Sequence, residues 1–243
     1  MRGLILAAGR GSRMNSLTDD RPKCLQTLYG RTLLSYQVEA MKYLGLNQLG
    51  VVTGYLRQSI QVDGQTEFHN ERWAQTNMVS SLMCAREWLR RDTCLVSYSD
   101  IFYFGQYLLP ILDAPGDLVV AYDPEWLSLW SRRFEDPLDD AETFRLGENN
   151  VIDEIGLKPT ALDEVEGQFM GLLRFSPHAW SVVEEVCAQV DEVDGLQMTE
   201  LVQLLVHDRR VDVRAWAYNG VWGEADHESD LQLYESEDFE FPS

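Results

Sequence analysis

Lysine is almost missing from this chain. Lys23, Lys42 and Lys158 stand against seventeen arginines among 243 residues, so the position of each lysine carries information. Long apolar runs are missing as well. No stretch approaches the roughly 20 consecutive apolar residues that cross a bilayer, which excludes a helical membrane protein. No signal peptide is expected, because Met1 and Arg2 lead straight into a strand-like run. Four cysteines (Cys24, Cys84, Cys94, Cys187) lie scattered without a C-x-x-C pair. They are expected to be reduced thiols of a cytoplasmic protein, neither a disulfide framework nor a metal knot. A broadly basic surface is also lacking. Residues 1–33 carry a net +4, but the remaining 210 carry a net −24, within a total of −20. Most of such a surface repels a nucleic-acid backbone. Internal repeats and low-complexity linkers are absent, and a single domain over residues 1–243 is expected.

What is present is an alternation of strand and helix patterns. Residues 3–8 (GLILAA) form an apolar run that ends at Gly9, the pattern of a buried strand. Residues 32–45 space Leu33, Leu34, Val38, Met41 and Leu44 as a helix closed by Gly45. The segments LGVVTGY, TEFHN, TCLVSYSD and DLVVAYD read as strands, NMVSSLMCAREWL as a helix and 105–112 as a short helix. VIDEIGLKP and GQFMGLLRFSP read as strands joined by a turn. Helices at about 177–190 and 198–207, the strand VDVRAWAY and a helix near Asp226 follow. The alternation predicts an α/β fold, a doubly wound, mostly parallel sheet flanked by helices. A small excursion over about 124–175 and a frayed acidic tail over about 236–243 complete the layout.

The first loop is the chemical signal. A glycine-rich loop after a first strand holds phosphates through closely approaching backbone N–H groups. The P-loop pattern GxxxxGK[ST] is not met, since Lys23 lies too far along and precedes Cys24. The dinucleotide pattern GxGxxG is not met either, because Met14 stands where the third glycine belongs. This loop is long, basic, and not the start of a long helix.

Gly9-Arg10-Gly11-Ser12-Arg13-Met14 followed by Pro22-Lys23 resembles the nucleotidyltransferase signature G-x-G-[ST]-R-[LM]…P-K. FHNERWAQTNMVSSL, VSYSDI, RFEDPLDDAETFRL, EIGLKP, GQFMGLLRFSP, MTELVQLL and the terminal VWGEADHESDLQLYE extend the resemblance from residue 3 to about 235. The branch resembled is that of the stand-alone phosphocholine and phosphonate (2-aminoethylphosphonate-type) cytidylyltransferases. It implies a Rossmann-like nucleotidyltransferase domain that moves CMP from CTP onto a small anionic acceptor and releases pyrophosphate. By the same resemblance Ala8, Gly9, Gly11 and Ser12 would cradle the nucleotide, and Arg13 and Lys23 would neutralise its phosphates. Mg²⁺ would be the cofactor, held by Asp100 at a strand end and by Asp226. Glu224, Asp230 and His227 are weaker candidates. Lys158, in a partial Glu-Lys-Pro element with Leu157 in place of the glutamate, would hold the acceptor phosphate. Asn77 and Ser81 can offer polar groups to a pyrimidine, or Asn77 can simply cap a helix.

For the acceptor's far end the excursion offers two tools. Tyr122, Trp126, Trp130 and Phe134 can make an aromatic cage for a quaternary ammonium. Glu135, Asp136, Asp139 and Asp140 can pair with a primary ammonium. The i, i+4, i+8 spacing of Trp126, Trp130 and Phe134 equally describes the buried face of a helix. Since the nucleophile is an ionised phosphate or phosphonate, no general base is required. Lys23→Ala is expected to abolish most turnover and to leave stability nearly unchanged. A homodimer is compatible with the chain. Competing readings are a sugar-1-phosphate nucleotidyltransferase, a non-catalytic nucleotide sensor and a nicotinamide-dependent oxidoreductase. The Leu157 substitution and the tryptophan-rich excursion speak against the first. The retained Arg13, Lys23, Asp100 and Asp226 speak against the second, and the missing third glycine against the last.

Overall fold

The computed structural model describes residues 1–61, 64–236, 239 and 241. Seven strands build the central sheet: β1 (Arg2–Ala7), β2 (Leu49–Thr53), β3 (Thr66–His69), β4 (Cys94–Tyr98), β5 (Leu118–Asp123), β6 (Gln168–Phe175) and β7 (Val213–Ala217). Their spatial order is β7–β5–β6–β4–β1–β2–β3. All pairs are parallel except those of β6, which runs antiparallel to both neighbours. The run LILAA is apolar without alternation because β1 is covered on both faces. Leu4, Leu6 and Ala8 join one core while Ile5 and Ala7 join the other. Each of the buried Leu4, Ile5 and Leu6 side chains stabilises the fold by about 1.5–3 kcal/mol.

The helices are α1 (Leu33–Tyr43), α2 (Met78–Met83), α3 (Arg86–Leu89), α4 (Trp126–Arg133), α5 (Pro177–Cys187), α6 (Met198–Asp208) and α7 (Glu228–Tyr234). Thr32 caps α1 by accepting from Ser35 N–H, and Ser176 followed by Pro177 opens α5. Three expectations are corrected. The helix read over NMVSSLMCAREWL breaks at Ala85 (φ −99°, ψ 14°) into α2 and α3. The end of the supposed excursion, 168–175, is β6 in the middle of the sheet. VIDEIGLKP instead pairs locally, with Ile152–Ile155 antiparallel to Phe144–Leu146.

Of the acidic tail over 236–243, Glu237, Asp238, Glu240, Pro242 and Ser243 lie outside the described residues. Phe239 and Phe241 are not frayed: both rings pack on Phe102. Among the described residues no helix is long and apolar enough to cross a membrane.

Candidate active site

The site is assembled at the carboxyl ends of β1 and β4 by a device with no sequence signature. Just past β4, Ile101–Tyr103 pairs antiparallel with Trp222–Glu224, opposing Ile101 to Glu224. Ala225 N–H donates to the Asp100 carbonyl at 2.9 Å. This short ladder brings Asp100 beside Glu224 and Asp226, residues more than 120 positions apart.

From the other side comes the first loop. Gly11 sits at φ +74°, and a Cβ there would lie 2.7 Å from Cβ and Cδ of Lys23. Glycine is needed twice over, for the left-handed backbone and for the passage of the lysine stem. Lys23, only 6% exposed, donates from Nζ to Asp100 Oδ2 at 2.8 Å and to Asp226 Oδ1 at 2.5 Å. Arg13 reaches Asp226 at 2.9 Å and Asp140 at 3.8 Å. Four residues chosen from sequence thus converge on one point.

Sequence reasoning missed Arg133. Its side chain is fully buried, and its guanidinium contacts Asp230 (3.1 Å), Glu224 (3.3 Å) and Asp226 (3.8 Å). It packs over Trp130 and Phe134. An arginine at the end of an amphipathic helix reads as solvated, so no pattern singles it out. Asp230 accepts from the N–H groups of Asp226 and His227, holding the start of α7. His227 occupies the N-cap position of that helix.

Burial lowers the affinity of Lys23 for its proton, but Asp100, Asp226 and Glu224 outweigh it and raise the pKa. Burial would raise the Asp226 carboxyl, yet Lys23, Arg13 and Arg133 hold it below the usual range. Glu224 is pushed up to about 8 by burial and by Asp226 and Asp100, against the pull of Arg133 and Lys23. The cluster is therefore short of positive charge. One oxygen from each of Asp100, Glu224 and Asp226 lies within 4.8 Å of the others, and the buried Asp100 Oδ1 has no hydrogen-bond partner. An all-oxygen donor set with an orphaned carboxylate oxygen fits a hard divalent cation such as Mg²⁺.

Two cavities meet here. One, of about 260 Å³, is lined by Ala8, Gly9, Gly11, Ser12, Lys23 and Ser81. The other, of about 330 Å³, is lined by Asp140, Glu142, Gln168, Phe169, Thr199 and the two acids of the terminal motif. Arg13, Asn77, Met78 and Asp100 belong to both. Gly171 (φ +75°) lies at an irregularity in β6 and approaches Tyr98 so closely that a Cβ would lie 2.9 Å from its ring. Gln168 and Phe169 precede this break and face the second cavity. Asn77 caps α2 by accepting from Met78 N–H at 2.8 Å, as one of its two readings expects, and it also lines both cavities.

The remaining sequence candidates lie elsewhere. Trp126 and Trp130 are core residues, 4% and 1% exposed; Trp126 donates to the Val165 carbonyl and Trp130 packs on Trp222. The cage fails because hydrophobic burial claims that helix face. Asp136 is exposed and caps a turn by accepting from Leu138 N–H. Lys158 lines neither cavity. Its ammonium donates to the carbonyls of Leu138 (2.5 Å) and Asp139 (2.7 Å), bracing the turn that presents Asp140. Glu142, three residues beyond Asp139, is the acid that faces the second cavity with Asp140, and sequence reasoning passed it over.

Comparison with known proteins agrees with this architecture. A CTP:phosphoglutamine cytidylyltransferase of Campylobacter jejuni is 34% identical over 96% of this chain and 98% of its own length. The fold matches the inositol-1-phosphate CTP transferase of T. maritima (TM-score 0.75, 16% identity, 99% of this chain and 98% of that one). It matches the CTP:phosphocholine cytidylyltransferase of Streptococcus pneumoniae similarly (TM-score 0.70, 21% identity, 96% and 97%). Residues 3–154 match the model of the MobA-like NTP transferase domain, and the chain belongs to that nucleotidyltransferase family.

Proposed function

We propose that the protein transfers CMP from CTP to the phosphate or phosphonate of a small acceptor bearing a primary ammonium group. The observation that carries this reading is the shared wall: two cavities have Arg13 and Asp100 in common, and Lys23 of the first is ion-paired with Asp226 of the second. The first cavity, next to the glycine loop, suits the nucleotide. The second is lined by Asp140 and Glu142, whose carboxyls burial pushes up, Glu142 accepting from Thr199 Oγ1 at 3.4 Å. Two acids with amide and hydroxyl neighbours suit an ammonium better than a neutral sugar. Loss of the aromatic cage favours a primary over a quaternary ammonium. The Campylobacter jejuni relative, named for phosphoglutamine, supports the same acceptor class.

In the reaction an acceptor oxygen attacks the α-phosphorus, the bond from that phosphorus to the β-bridging oxygen breaks, and pyrophosphate departs with the electron pair. Arg13 and Lys23 bring the two anions together and stabilise charge that grows on the α-phosphate. The nucleophile is ionised at neutral pH, so no side chain needs to take a proton. A divalent cation on Asp100, Glu224 and Asp226 would supply further neutralisation of the phosphates. The test is pyrophosphate release with CTP, Mg²⁺ and four acceptors: 2-aminoethylphosphonate, phosphoglutamine, phosphocholine and glucose-1-phosphate. Turnover confined to the primary-ammonium pair is expected. Preference for glucose-1-phosphate would refute the acceptor assignment, and silence with all four would refute the transferase.

A further inference from the structure

The nucleotide cavity holds a hydrogen-bond chain whose direction is fixed. Asn70 follows β3, is 5% exposed, and uses its whole amide. Its Oδ1 accepts from Arg72 N–H at 3.0 Å. Its Nδ2 therefore supplies both donors, to Thr76 Oγ1 at 2.9 Å and Ser81 Oγ at 3.0 Å. Thr76 passes its own proton to the Arg72 carbonyl at 3.0 Å. Ser81, 6% exposed on the second turn of α2 and lining the cavity, accepts from Asn70 and keeps its hydroxyl proton for whatever lies there.

We propose that Asn70 is a positioning residue which fixes Ser81 as a hydrogen-bond donor toward the pyrimidine, and thereby sets a preference for CTP over UTP. The inference rests on the cytidylyl-transfer reading and goes beyond it. Cytosine presents two adjacent acceptors, O2 and N3. Uracil presents O2 and an N3–H. Facing N3, the Ser81 proton meets an acceptor in cytosine but an N–H in uracil, and it is stranded there, a penalty of the kind that buried unpaired groups carry.

Asn70→Asp turns the chain around. A carboxylate there takes the Ser81 proton and leaves the serine lone pairs facing the base. The experiment measures kcat/KM for CTP and UTP in the wild type, Asn70→Asp, Ser81→Ala and the double variant. The CTP/UTP ratio is expected to fall about tenfold in Asn70→Asp. Ser81→Ala is expected to lower it as well, and Asn70→Asp to add nothing further in the Ser81→Ala background. Structural damage or added negative charge lowers both nucleotides alike and leaves the ratio in place. An unchanged ratio in Asn70→Asp overturns the inference. If that variant does not fold, an unchanged ratio in Ser81→Ala overturns it equally. A wild type that uses CTP without preference over UTP refutes the role of Asn70 alone, whereas one that does not use CTP refutes the cytidylyl reading on which it stands.

Discussion

At the scale of single residues, burial changes what Lys23 is expected to do. Read as a loop lysine, its removal ought to spare stability. In the fold its ammonium is packed between two carboxylates behind Gly11. Lys23→Ala leaves Asp100 and Asp226 facing each other, and losing one partner of a buried ion pair costs about 3–5 kcal/mol. Turnover should fall at least about 100-fold, the scale of losing a preorganised charge-stabilising group. The melting temperature should fall too, and millimolar Mg²⁺ should restore part of it by neutralising the freed carboxylates. An unchanged melting temperature would mean that the ion pairs contribute no net stability. Asp123 supplies a second test. Burial raises its carboxyl, opposed by the Trp222 indole N–H and the Glu125 backbone N–H. With its folded pKa above the unfolded one, its favourable contribution is present below the unfolded pKa and is lost as pH rises through the folded value. Asp123→Asn should therefore improve relative to wild type in melting temperature between about pH 4 and 7. A constant difference across that range would show that Asp123 is not perturbed.

At the scale of elements, much was legible and the exceptions have physical causes. β1, α1 and the glycine loop announce themselves because local pattern and tertiary role coincide. The tryptophans of α4 carry two meanings, cage or core, and only the sheet behind them decides. Trp130 lands on Trp222, a partner 92 positions away. The ladder between Ile101–Tyr103 and Trp222–Glu224 is illegible for the same reason: three-residue strands have no periodicity to read. Arg133 ties these parts together, joining the end of α4 to the acids of the terminal motif. Arg133→Met should leave Glu224 and Asp230 buried without their cation, lowering stability by about 3–5 kcal/mol. Removing that charge from beside Glu224 and Asp226 should lower the Mg²⁺ concentration for half-maximal activity, while Arg133→Lys, which keeps the charge and loses the forked geometry, should fall between. Equal Mg²⁺ dependence in all three proteins would show that Arg133 serves packing alone.

At the scale of the whole molecule, the charge of −20 and the basic first loop act over different distances. Arg13 and Lys23 sit within contact range of carboxylates, partly or wholly out of water, where salt screens little. The excess acids are spread over the surface and repel one another across gaps comparable to the Debye length, about 10 Å at 0.1 M salt. Exposed pairs such as Arg90 with Glu87 and Glu184, or Arg210 with Asp208, partly offset that repulsion. Each such pair contributes no more than about 1 kcal/mol. Salt weakens these pairs and the net repulsion together, so the sign of its effect reports which is larger. Twice as many acids as bases makes the repulsion larger. Raising NaCl from about 0.05 to about 0.5 M should therefore raise the melting temperature. Sodium chloride is the right probe because sulfate also strengthens apolar burial. If NaCl lowers the melting temperature, the surface pairs outweigh the net repulsion, and the acidic excess places less strain on this fold than its magnitude implies.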